Sequence, residues 1–181
     1  RLVTSNGIIR AGTTFGGAGA LKIQASSIVS PENSANINVL LDNSGLLRPA
    51  GTGTGRVDIK DFQQSATGDL EIDLNGTGLA NYDRLIVGGT AQIGGDLLLK
   101  LGGGYVPALN DTFNVLSATG GVLGTFNPLV QPVGMPAGRV FQITYSASLV
   151  QLKVVASSPF DNWISTFPSL TNPADKTKGA N

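Results

Sequence analysis

A glycine, one variable residue and an aliphatic–polar–aliphatic triplet recur along this chain. The phrase appears as Gly19-Ala20-Leu21-Lys22-Ile23, Gly55-Arg56-Val57-Asp58-Ile59 and Gly68-Asp69-Leu70-Glu71-Ile72, with a more apolar form at Gly95-Asp96-Leu97-Leu98-Leu99. A period of two describes a strand with one face in a core and the other in water. Many such strands between Gly-rich turns build a coiled, solenoid-like β structure rather than a catalytic scaffold. The intervals of 36, 13 and 27 positions are unequal, so the repeat reads as degenerate.

The alternation predicts strands over 7–10, 21–24, 27–30, 37–41, 46–48, 56–60, 62–64 and 69–74, with turns rich in Gly, Ser, Thr, Asn and Pro between them. No stretch here has the 3.6-residue period of an amphipathic helix. Strands this short suit the rungs of a parallel β-helix. Longer strands are predicted over 84–87, 91–93, 96–101 and 112–117. Leu97, Leu98 and Leu99 in succession suggest burial on both faces of one strand. Segments 139–145 and 149–155 alternate cleanly across Ser146-Ala147-Ser148, which predicts an antiparallel hairpin closing the stack. The expected organisation is therefore degenerate rungs over 1–81, terminal rungs with a capping hairpin over 82–156, and a tail over 157–181 with a short helical turn near 159–167.

Composition narrows the chemistry. The 181 residues are 41% hydrophobic, enough for an ordered core, and only 13% charged. Twelve basic and twelve acidic residues cancel, so nothing steers the chain toward nucleic acid or an anionic membrane. Without cysteine or histidine, a Ser-His-Asp triad, a His-bearing zinc site and a Cys nucleophile are all excluded. No apolar run reaches the roughly 20 residues that span a bilayer. A start at Arg1, with no initiator methionine or leader pattern, is expected of a piece of a longer protein.

Several segments carry a sharp and a bland reading. Asp69, Glu71 and Asp73 share one strand face, as a calcium site or a glycosidase-like acid pair would need, yet the bland reading is a solvated outer wall with Leu70, Ile72 and Leu74 inside. Segments 75–78 and 102–104 are Gly-rich but lack the Lys-Ser/Thr ending and following helix of a phosphate loop, so they read as turns. Asn75-Gly76-Thr77 and Asn110-Asp111-Thr112 match a glycosylation acceptor at chance level. Tyr82, Tyr105 and Trp163 could stack on sugars, although packing is the favoured role for the two tyrosines.

The run from Tyr82 to Leu97, with its aromatic–Asp–x–Leu–x–Val strand, Gly–Thr–Ala turn and Gly-Gly-x-Leu strand, resembles the end segment of autotransporter-associated β-strand repeat proteins. Gly104-Tyr105-Val106-Pro107, Asp111-Thr112-Phe113 and Gly120-Gly121-Val122-Leu123-Gly124-Thr125-Phe126 continue the likeness, and Ser44–Gly51 looks like the rung text before it. The similarity covers about Gly7 to Val155 and is most specific over Tyr82–Phe126. It implies an all-β chain, a right-handed parallel β-helix, secreted or displayed on a bacterial surface, with no catalytic residue to transfer. Phe160-Asp161-Asn162-Trp163-Ile164 also looks like the segment that precedes an Asp-rich calcium-binding stretch in large secreted proteins of this kind, a stretch not found here.

The expected function is structural and non-enzymatic, without cofactor: a stalk, matrix component or filament subunit. A carbohydrate-binding or adhesin module and a polysaccharide-cleaving enzyme are the rivals. Expected partners are the flanking parts of a longer polypeptide, surface glycans, or other copies joined head to tail. Ile8 and Ile9 on a poorly guarded edge, and Phe160, Trp163, Ile164 and Phe167 in a polar tail, are the candidate subunit contacts.

Overall fold

The computed structural model describes residues 2–158, with side chains from residue 7 onward. No helix occurs among the described residues. The strands are β1 (Leu2–Ile9), β2 (Thr14–Phe15), β3 (Ala20–Pro31), β4 (Asn36–Asn43), β5 (Leu46–Leu47), β6 (Arg56–Gln64), β7 (Asp69–Leu74), β8 (Arg84–Val87), β9 (Ala91–Ile93), β10 (Asp96–Leu101), β11 (Thr112–Ala118), β12 (Val122–Gly124), β13 (Leu129–Val130), β14 (Arg139–Tyr145) and β15 (Leu149–Ala156). They join in one mixed, nearly closed sheet.

Three parallel ladders organise that sheet. Ladder A stacks Phe15, Ile37, Ile59, Val87 and Ala118 in register. Ladder B stacks Leu21, Leu41, Phe62, Ala91 and Val122, with the start of β1 laid on Leu21–Ile23. Ladder C stacks Gly7, Val29, Leu47, Leu70, Leu97 and Leu129. The chain visits A, B and C in that order five times, after a first pass in which β1 serves B and C alone. Strands β3, β4 and β6 each run through a corner of the circuit; for β3 and β6 the sequence predicts two separate pieces, and for β4 only the stretch 37–41. Within β3 the bend falls at exposed Ser26, whose φ of 65° turns the chain without a glycine.

The irregular spacing of the glycine phrase now has a cause. Gly19 introduces a ladder B strand, Gly55 a ladder A strand, and Gly68 and Gly95 ladder C strands. Only the last interval spans one full circuit. Gly45, Gly68 and Gly95 precede partners Leu46, Asp69 and Asp96 and form a column at the corner between B and C. A Cβ would lie 2.5 Å from Ser27 O at Gly45, 2.6 Å from Asn43 O at Gly68, and 2.2 Å from Gly68 O at Gly95. Only glycine lets the backbones approach this closely.

The inward columns merge into one core running from Leu21 to Val154. Leu70, Ile72, Leu74, Leu97 and Leu99 are buried, as the alternation predicts. Each such side chain contributes roughly 1.5–3 kcal/mol through burial. Leu98 is only half-buried, so β10 is not enclosed on both faces as its leucine run suggests; its side chain sits on the outward parity. Ladders B and C cross residues 81 and 82 without interruption.

The C-terminal hairpin forms as an antiparallel pair, as expected, with Tyr145 opposite Val150 and Phe141 opposite Val154. β15 also pairs antiparallel with β11, so the hairpin extends ladder A sideways. Phe113 is the hub beneath it, with ring centroids of Tyr82, Tyr105 and Phe141 at 5.2, 6.0 and 5.8 Å in edge-on geometry. Tyr82 and Tyr105 therefore pack, as the sequence favours.

Candidate functional site

The acidic strand β7 carries the most charge-dense group of side chains. The sequence reading puts Glu71 in solvent beside Asp69 and Asp73, and the structure corrects this: Glu71 is buried. Arg48 Nε lies 2.9 Å from Glu71 Oε1 and Lys100 Nζ lies 2.8 Å from Oε2, one cation from the circuit on either side. Their long stems cover the carboxylate that both neutralise. Asp69 and Asp73 remain half-exposed. Asp69 stacks on Asp96, and its carboxyl is raised by burial first and by that like charge second. Asp73 is raised by burial and by Glu71, against Lys100 and Arg48.

Asp83, which the sequence analysis did not single out, lies next to this group with 1% of its surface exposed. Its Oδ1 accepts the Gly55 N–H at 3.1 Å and its Oδ2 the Asp73 N–H at 3.0 Å. It thus ties the start of β6 to β7, on either side of a whole pass of the chain. Burial pushes its carboxyl up to about 8; the two N–H donors oppose the shift, and the charges of Asp73 and Glu71 reinforce it. Through these two bonds the buried Asp83 carboxyl braces β6 against β7. Among the described residues, no three acidic side chains gather as metal ligands.

A second buried polar group occupies the corner between B and C. Asn43 and Gln64 stand at inward positions, two residues after Leu41 and Phe62, and both are buried. Asn43 Nδ2 donates to Gln64 Oε1 at 3.0 Å and to Asp69 O at 2.9 Å, while its Oδ1 accepts the Gly45 N–H at 3.1 Å. Gln64 Nε2 reaches the carbonyls of Gly68, Gly94 and Asp96 at 3.0, 2.8 and 3.1 Å. Two stacked amides thereby satisfy corner backbone groups that the ladders leave over. The signal was present in the sequence as polar residues on an inward parity.

The two ends of the stack differ. At the C-terminal end Tyr145 Oη accepts the Phe126 N–H at 3.0 Å, and Val122 N–H donates to Ala147 O at 2.9 Å. The Gln131 amide pairs with both backbone groups of Phe141 at 2.8 Å, occupying the outer edge of β14 as a strand would. At the N-terminal end, by contrast, a cavity of about 340 Å³ lies open, with Ile9, Phe15, Leu21 and Val29 in its wall. Gly7, directly over Val29, supplies no side chain to fill it. Of the predicted contact residues, Ile8 is 60% exposed and Ile9 packs against the core. Phe160, Trp163, Ile164 and Phe167, with the predicted helical turn, lie outside the described residues.

Set against known proteins, the chain matches no family model and no curated sequence. No helix of the described residues is long and apolar enough to cross a membrane.

Proposed function

We propose that this chain is a non-enzymatic structural element: a right-handed parallel β-helix of the autotransporter-associated repeat kind, serving as a stalk at a bacterial surface or in an extracellular matrix. The observation that carries this reading is the fixed order in which the chain passes through three parallel ladders. Residues Tyr82–Phe126 carry the family likeness. In such a rod, ladder hydrogen bonds run along the axis and the aliphatic columns resist shear between coils. The hairpin and the Tyr145 and Gln131 side chains finish one end. The buried acidic group and the amide stack hold strands in register, a use of polar chemistry that needs no substrate.

Small-angle scattering combined with electron microscopy tests the reading. An elongated particle with β-rich circular dichroism is expected, and a near-spherical one would overturn it. Filaments that vanish when residues 157–181 are deleted would make the chain the subunit of a head-to-tail polymer instead of a stalk.

A further inference from the structure

Four loops line the corner where the chain leaves ladder C. Residues 49–55, 75–82 and 102–110 lead back to ladder A, and residues 131–138 lead into the hairpin. Successive loops touch. Thr54 Oγ1 donates to Ala80 O at 2.8 Å, the Gly102 N–H to Leu74 O at 3.1 Å, and Arg139 Nη1 to Pro107 O. None of the four contains a charged residue. The charges that flank them are engaged within the molecule: Arg48 with Glu71, Arg56 with Asp58, and Asp111 with Tyr105. Along this uncharged strip Leu79, Val106, Leu109 and Val133 are 61, 68, 49 and 97% exposed, and no described residue covers them. An apolar row of this kind, built from consecutive circuits, marks a contact surface.

We propose that residues 159–170 of the same chain are what this strip receives, folded back over the corner with their apolar side chains against it. β15 ends beside the strip, with the Asn110 N–H on Val154 O and the Ser157 N–H on Gly138 O, both at 2.9 Å. The chain therefore passes Ser157 next to two of the four loops. The segment is also long enough. Neighbouring strands lie about 4.8 Å apart, so the four loops span roughly 15 Å. The twelve residues from 159 to 170 cover about 18 Å as a helix and about 40 Å extended, so either conformation suffices. Its chemistry matches as well: Phe160, Trp163, Ile164, Phe167 and Leu170 fall within it. The strip has no charge to pair, and the segment brings none beyond Asp161, near its start. Tethering favours this segment over a second copy, because the chain already holds it at high effective concentration. A lipid surface fits less well, since hydrocarbon leaves the backbone groups of irregular loops unpaired.

Trp163 is the chain's one tryptophan, so its fluorescence reads the seat directly. In the whole folded chain its emission should lie to the blue of that in denaturant, resist quenching by acrylamide, and stay unchanged on dilution. Leu79→Asp and Val106→Asp alter side chains already mostly in water, so both variants should keep the β-rich circular dichroism. Each should move the emission of the folded protein to the red and restore quenching. Leu123→Asp, similarly exposed but on ladder B, should leave both unchanged. Red, readily quenched emission in the unsubstituted chain would overturn the proposal. So would blue emission indifferent to both strip variants. Blue emission lost on dilution, as a dimer dissociates, would overturn it too, because the segment would then sit on a second copy. The stalk is tested separately: scattering reports particle shape, and this emission reports the corner alone.

Discussion

The two ends of this molecule are built from the same ladders and finished differently. At the C-terminal end an antiparallel hairpin, a tyrosine hydroxyl and a glutamine amide take up strand edges that would otherwise face water. At the N-terminal end the strands lie over a hollow lined by Gly7 and Ile9, and among the described residues nothing covers it. The contrast teaches that closing such a stack takes side chains as well as strands. Tyr145 and Gln131 do at one end what no described residue does at the other.

Substitutions can break that contrast or sharpen it, and the largest effect belongs to Phe113. It is fully buried and contacts three other rings under the hairpin, so Phe113→Ala should cost roughly 3–5 kcal/mol in chemical denaturation. A loss below about 1 kcal/mol would mean the hairpin is not seated as described. Gln64→Leu comes next, at about 2–3 kcal/mol, because it strips a donor from three corner carbonyls and an acceptor from Asn43. If leucine is tolerated freely there, the amide stack does not hold the corner.

The third test uses pH. Folded Asp83 keeps its proton to about pH 8, whereas the unfolded chain releases it near pH 4. The folded state thus holds the extra proton between those values, so stability should fall as pH rises from about 4 to about 8. Asp69 and Asp73, also raised, push in the same direction. Melting midpoints recorded across that window should decline, and Asp83→Asn should flatten the decline. An unchanged slope in the variant would assign the effect elsewhere.

The smallest effects compare the ends directly. Tyr145→Phe removes one acceptor from the Phe126 N–H and should cost about 1 kcal/mol. Ile8→Ser, on the open end, should stay within about 0.5 kcal/mol, since Ile8 is already mostly in water. A loss at Ile8 larger than that at Tyr145 would reverse the assignment of finished and unfinished ends.

Much of the fold was legible because its rules are local. β7, β8, β9, β10 and β14 have the bounds their alternation and flanking glycines predict. β2, β12 and β13 escaped notice because two or three residues inside Gly-rich loops show no periodicity, and their strand character comes from the neighbouring circuit. The corners within β3 and β6 read in the sequence as breaks because polar residues mark turns, whereas here one strand carries the chain across the corner from one ladder to the next. The polar groups were least legible. Burial of Glu71 depends on Arg48 and Lys100, which adjacent circuits bring to it, and Asp83, just ahead of β8, looks in sequence like any polar residue at the start of a strand. Ile8 and Ile9 both line the open end, Ile8 mostly in water and Ile9 packed against the core.

The ladder arrangement also sets the direction in which the molecule comes apart. Each circuit pairs with the circuits before and after it, so opening resembles a zipper with a stop at one end. The stop is the hairpin over β11, and among the described residues the opposite end is β1. Amide exchange should therefore be fastest near β1 and slow progressively toward Phe113, and a protease acting on transient openings should trim from the N-terminal side before it cuts within the later circuits.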